Sequence, residues 1–340
     1  MKRLPGIRPL RRSRSRKLYD SGGVARPVKG TRLGWTFAVL AYCAWGLLSP
    51  VGKVLVDEQG MPPNTLNALR LGVASIVLLI LVGPRRGALA TYVMRKDLNV
   101  WLLGMTGIGL TFTFFLYSLR TIDATIATLL VFFSPLMVVP VAARWLREPA
   151  TKATWLAAIG VLAGAWLTLF GLAPPNIGRE QWVGLGVCFL SVITWSVYTV
   201  HLRIVAPRHD PYALTVATFL AATIMFVALA VATEDFMAGM RRLREPAIIG
   251  WFALYVTFPS VLAYILYTNA LQRLRAGPVS VLLGIELMVT AIVSNLITDE
   301  AFPPIKIVGL VAVGVTMTAF VAWENRKAPD IHAAEGPAPP

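Results

Sequence analysis

From Leu33 almost to the C-terminus, the chain is a succession of apolar runs separated by short segments that collect its charge, glycine and proline. Such runs have the length an α-helix needs, about 17 to 25 residues rising 1.5 Å each, to cross roughly 30 Å of hydrocarbon. A soluble fold could not cover so much apolar surface. Of the 340 residues, 56% are hydrophobic and only 14% are charged, against about 25% charged in an ordinary soluble domain. The chain therefore reads as an all-α polytopic membrane protein with ten transmembrane helices. Spans are expected near residues 33–55, 65–83, 98–119, 123–143 and 153–171, then 182–202, 211–232, 248–271, 276–297 and 305–323.

The distribution of Lys and Arg sets the direction of insertion. With the N-terminus in the cytoplasm, 24 of them fall on the inner side and 6 on the outer side, while Lys53 and Arg70 lie within spans. This predicts a multi-pass cell-membrane protein with both termini cytoplasmic. The loop 233–247 runs against the bias. Its arginines, Arg241, Arg242 and Arg244, are matched by Glu234, Asp235 and Glu245, and the loop is read as a short interfacial helix.

The net charge of +15 would suggest nucleic acid in a soluble chain. Here 11 basic residues crowd into residues 1–32, with a dense run from Arg11 to Lys17. That composition cannot fold alone, and beside a membrane it is drawn to anionic lipid by about 1 kcal/mol per basic residue. The expected partners are thus membrane lipids and a small-molecule substrate, with no nucleic acid; the sequence is silent on oligomeric state. The resulting layout is a basic disordered arm (1–32), a first five-helix repeat (33–171), a second (182–323) and a disordered cytoplasmic tail (324–340). The first apolar run exceeds a signal-peptide core, so an uncleaved start is expected.

Five is an odd number, so two consecutive five-helix halves have inverted topology, a recurrent basis for alternating access. A faint internal repeat agrees: at an offset of 152, Leu119 matches Leu271, Ala124 matches Ala276, Leu130 matches Leu282 and Glu148 matches Glu300. Cys43 and Cys188 both lie in apolar spans without metal spacing, and are read as small packing residues.

Short motifs at ordered positions add to this pattern. Trp45–Gly46 and Lys53 lie in span 1, Arg70 in span 2, and Ser134–Pro135 precedes Glu148 by thirteen residues. The second half offers Trp195–Ser196 in span 6 and Glu286 followed by Asp299–Glu300. In order and spacing the chain resembles the drug/metabolite transporter superfamily, specifically its EamA-type members. The family commonly carries Glu-Pro in span 9, whereas here Leu287 follows Glu286. The resemblance implies a secondary transporter, commonly an exporter of amino acids, other metabolites or drug-like compounds, with no cofactor.

Glu286 is the most informative single residue, ten residues into span 9 and so roughly 15 Å deep. An ionisable group there costs about 2.5 to 3.5 kcal/mol even on insertion scales, and such groups are usually functional. Thr290 and Ser294 continue its stripe at i+4 and i+8. Glu286 is therefore a candidate for coupling or for substrate binding, with a helix–helix hydrogen bond as the alternative. Tyr42, Trp45, Ser49 and Lys53 recur at helical spacing in span 1, as do Ser191, Thr194, Trp195 and Tyr198 in span 6. These stripes suit either the lining of an amphipathic cavity or plain packing.

Pro135, Pro140 and Pro259 are expected to break their spans, each freeing the carbonyl four residues earlier. Asn269, Gln272 and Asn295 are read as making interhelical or interfacial hydrogen bonds. Lys53 and Arg70 are read as snorkelling anchors near the outer span ends, with attraction of an anion as the alternative, and Glu148 and Glu300 as caps on the helices that follow them, with a gating role as the alternative. Glycine-rich stretches (Gly104, Gly107 and Gly109; Gly160 and Gly164) suit close helix packing.

Other classes fare worse. A membrane-embedded enzyme lacks its parts, since the only histidines are His201, His209 and His332 and neither HExxH nor GxSxG occurs. A lipid-linked flippase on the same fold remains an alternative, and a channel would require a repeated filter-like segment.

Overall fold

The computed structural model describes residues 31–173, 175, 177–298 and 303–327. Expectations for the arm up to residue 30, for the tail beyond residue 327 and for Glu300 lie outside the described residues. Among the described residues ten helices are long and apolar enough to cross a membrane: Arg32–Glu58, Pro63–Leu81, Leu98–Ser118, Ala124–Trp145, Lys152–Phe170, Gln181–Arg208, Pro211–Thr233, Pro246–Arg273, Ala276–Ile297 and Pro304–Arg326. They are spans 1 to 10, within a few residues of the sequence reading, and the described residues contain no strand.

The helices do not form two separate bundles. Span 1 packs on span 8 and span 3 on span 6; spans 2 and 7, 4 and 9, and 5 and 10 form further pairs. Exchanging the halves turns 1–8 into 6–3 and leaves the other three pairs unchanged, as two inverted five-helix repeats require. The core therefore lies between the halves. Glycine permits the closest approaches: a Cβ on Gly164 of span 5 would sit 2.5 Å from Val313 Cγ2 of span 10. Likewise a Cβ on Gly107 of span 3 would collide with the Tyr198 ring of span 6.

Several spans are not straight, and most interruptions have local causes. Span 1 breaks at Gly46–Leu47 between helices Thr31–Trp45 and Leu48–Lys53. Span 4 breaks at Phe132–Phe133, just before Pro135, which sits in the first turn of the helix Ser134–Trp145. Pro140, by contrast, lies inside that helix and does not break it, correcting the expectation. A proline there removes one backbone hydrogen bond while the turns on either side hold. Pro259 falls in a wide π turn, Thr257–Leu262, and the Ser260 hydroxyl donates to the freed Tyr255 carbonyl at 3.1 Å. That kink is satisfied by its own neighbour. Span 3 has a matching wide turn over its glycines, Leu103–Gly109, and spans 3 and 8 correspond in the two repeats.

Span 9 breaks at Leu282, between helices Ala276–Val281 and Leu283–Thr298. No proline stands at the break, yet it lies within two positions of the break in span 4 at the offset of 152. Glu286 thereby falls in the first turn of a new helix, where the helix dipole favours negative charge.

Loop 233–247 contains the expected short helix, Phe236–Arg242, capped by Asp235, which accepts from the Ala238 amide at 2.8 Å. Glu234 accepts from the Asn64 and Thr65 amides at 2.9 and 2.8 Å, capping span 2 from the other half.

Candidate functional site

At mid-span, rings from both halves converge on Trp45. Its indole lies 4.8 Å from the Tyr267 ring, 5.2 Å from Tyr264, 5.4 Å from Tyr42 and 5.5 Å from Trp195, all edge-on. Trp195 continues to Tyr198 at 5.2 Å, and Tyr264 to Phe219 at 4.8 Å. Edge-to-face geometry sets the positive edge of one ring against the negative face of the next, worth about 0.5 to 1.5 kcal/mol per pair beyond burial. The Thr199 and Tyr267 hydroxyls share a hydrogen bond of 2.9 Å, tying span 6 to span 8.

Glu286 borders this cluster, partly buried and within electrostatic reach of Tyr42, Tyr264 and Tyr267. Thr290, one turn on, donates to the Gly46 carbonyl at 2.9 Å. That carbonyl belongs to the break in span 1, so Thr290 both satisfies it and joins span 9 to the turn that positions Trp45.

The structure thus brings together Tyr42, Trp45, Trp195, Tyr198, Glu286 and Thr290. It does not bring Ser49 with them. The Gly46–Leu47 turn shifts the helical phase, and Ser49 and Lys53 are exposed on the protein surface rather than continuing the Trp45 stripe. In span 6, Thr194 instead bonds Thr111 of span 3 at 2.8 Å.

Two further corrections concern charges. Arg70 does not snorkel: it is 0% exposed, with its guanidinium 4.5 Å from the centre of the Phe112 ring and 5.3 Å from that of Tyr255. Its face of span 2, shared with Leu66 and Ala74 at i−4 and i+4, turns into the protein. Glu148 does not cap span 5, whose N-cap is Thr151, accepting from the Thr154 amide at 3.2 Å. It caps span 9 instead, accepting from the Ala276 amide at 2.9 Å and from Arg203 Nε at 3.4 Å.

Tyr264 and Tyr267 were not singled out by sequence, although Ser260, Tyr264, Tyr267 and Leu271 form an i, i+4, i+7, i+11 stripe that could have shown them.

The EamA-like transporter family matches twice, over residues 32–170 and 182–321, one match for each half. The chain belongs to the EamA-like transporter family. It is a multi-pass membrane transporter. Among curated relatives, the uncharacterised transporter YetK of Bacillus subtilis is 25% identical over 293 residues, 84% of each chain. An uncharacterised transporter of Haemophilus influenzae is 22% identical over 267 residues, 78% of this chain and 84% of that one. A solved crystal structure superimposes with a TM-score of 0.67 at 19% identity, covering 87% of this chain and 97% of that one, and so shares the fold.

In this EamA-like transporter, the side where span 1 begins carries a cross-half polar network. Glu148 joins Arg203 and the Ala276 amide, and Arg203 Nη1 donates to the Leu271 carbonyl at 2.7 Å. Burial pushes the Glu148 carboxyl above its ordinary range, against the opposing pull of Arg203 and the Ala276 amide. Nearby, Asp97 meets His209 Nε2 at 3.0 Å. Burial pushes the Asp97 carboxyl up, but hydrogen bonds from Asn99 and His209 outweigh it and hold the group low. Gln272 donates to the Ala206 and His209 carbonyls, the interhelical role expected of it. On the opposite side, Arg242 donates to the Gln59 carbonyl at 2.8 Å beside the Glu234 cap.

Proposed function

We propose that the protein exports small amphipathic metabolites, such as amino acids or related compounds, by alternating access between its two inverted halves. The observation that carries this reading is Glu286, a carboxyl at mid-span bordering an aromatic cluster to which spans of both halves contribute. Rings with polar tips bind the apolar body of a solute, and Glu286 holds its cationic end or a coupling proton. The Glu148–Arg203 network on one side and the Glu234 cap on the other tie the halves together, and opening each in turn exposes the centre to one face of the membrane. Both termini are cytoplasmic in this proposal, on the strength of the Lys and Arg distribution, and the basic arm rests on anionic lipid outside the solute path.

Purified protein reconstituted in proteoliposomes tests the proposal. Preloaded unlabelled amino acid is expected to drive uptake of the same labelled amino acid well above empty liposomes, because counterflow requires a site that faces both sides in turn. Absence of counterflow across a panel of amino acids, amines and carboxylates would contradict it.

A further inference from the structure

Arg70 of span 2 is fully enclosed, yet none of Nε, Nη1 and Nη2 has a hydrogen-bond partner. The Phe112 and Tyr255 rings cover it, and the Tyr255 hydroxyl makes a weak hydrogen-bonding contact with it that falls short of full geometry. Rings favour a cation but supply no acceptor in the guanidinium plane, where all five N–H groups point. Among the described residues no carboxylate forms an ion pair with it. The Tyr264 hydroxyl is likewise buried without a partner, and it interacts with Arg70 as well as with Glu286. Among the described residues this corner of the aromatic cluster therefore gathers donors and positive charge, with tyrosine hydroxyls but no carboxylate paired to Arg70.

We propose that Arg70 is an oxyanion-binding residue that receives the carboxylate, or an equivalent oxyanion, of the transported solute, with the Tyr264 hydroxyl as a second donor. The assignment rests on the transport reading. A planar guanidinium matches a carboxylate with two parallel hydrogen bonds, which an ammonium cannot reproduce. A purely structural clamp between two rings has no use for a buried guanidinium without an anionic acceptor, and an apolar side chain would fill it at lower cost. Because Tyr264 interacts with both Arg70 and Glu286, the two charges provide complementary ends for a solute bearing an anion and a cation.

The test is the melting temperature of the full chain in nanodiscs with sodium phenylacetate, L-phenylalanine, their uncharged-carboxyl counterparts phenylacetamide and phenylalaninamide, and sodium chloride or sulfate. Counterflow of L-phenylalanine is measured alongside. Carboxylates are expected to raise the melting temperature and their amides to raise it distinctly less. Arg70→Met is expected to melt no lower than the parent without ligand and to lose the carboxylate shift. Arg70→Lys retains the charge and binds carboxylates about tenfold to a hundredfold more weakly, the loss expected for one charge-assisted hydrogen bond. Equal shifts with acid and amide, or an undiminished carboxylate shift in Arg70→Met, would overturn the proposal. A shift with chloride or sulfate and none with the carboxylates means an adventitious ion only and overturns the assignment to the solute. Carboxylate selectivity without counterflow of any solute would leave the Arg70 site standing and remove the transport reading, while counterflow without carboxylate selectivity would do the reverse.

Discussion

Replacing Glu286 by Gln is expected to leave the protein folded and cut solute flux by about tenfold to a hundredfold, the magnitude of one lost charge-assisted interaction. Gln keeps the size and can still hydrogen-bond, but it can neither ionise nor carry a proton. Glu286 borders Tyr42, Tyr264 and Tyr267 in the first turn of Leu283–Thr298. Removing its charge therefore alters the polarity of the centre without opening a cavity. The rival role, a hydrogen bond that only packs span 9, ranks the variants differently. Gln would then be tolerated, while Glu286→Ala would lower the melting temperature through a cavity and unpaired neighbours. Flux and melting temperature measured on both variants separate the two roles, and normal flux in Glu286→Gln would remove this residue from the mechanism.

The largest stability effect is expected at Glu148. Its side chain and that of Arg203 are each 9% exposed, and deleting one member of a buried pair leaves the other uncompensated, at about 3 to 5 kcal/mol. Glu148→Ala also removes the acceptor of the Ala276 amide that opens span 9. Glu148→Gln keeps an oxygen for that amide and is expected to lose less. Since burial already pushes the Glu148 carboxyl up despite Arg203, the pair only partly offsets its own desolvation. The double variant Glu148→Ala with Arg203→Met is therefore expected to melt above Glu148→Ala alone, a non-additive result for two side chains in contact. Thermal unfolding in detergent measures all three, and simple additivity would show that the two side chains do not act as a pair.

The fold was legible because a membrane span carries its own ruler: apolar length, charge at its ends and an odd number of spans per half suffice to specify ten helices in inverted halves. Trp45, Trp195 and Glu286 were legible for a related reason, since large aromatics and a carboxyl at mid-span are costly or conspicuous in lipid. What the sequence hid was rotation. Span 2 spreads Asn64, Thr65, Asn67, Arg70 and Ser75 over more than half of its circumference, so no single polar face showed where Arg70 turns, and depth alone suggested an anchor. A two-residue turn at Gly46–Leu47 changed the phase of span 1 and separated Ser49 from Trp45. The break at Leu282 has no proline to announce it. Glu148 is followed closely in sequence by span 5, yet the pairing of spans 4 and 9 brings it to Ala276, 128 residues away. The misses concern either a local break in a span or a contact that helix packing determines.

In the proposed transport cycle the Trp45 and Glu286 centre, enclosed between the halves, opens to each side of the membrane in turn. Thr290 lies beside it, partly buried and bonded to the Gly46 carbonyl, and cysteine is a near-isosteric replacement. With Cys43 and Cys188 replaced, Thr290→Cys can be challenged with a membrane-impermeant thiol reagent from each face of oriented vesicles. The account predicts labelling from both faces, slowed from both by a transported solute. Labelling from neither face, or from one face only, would contradict it.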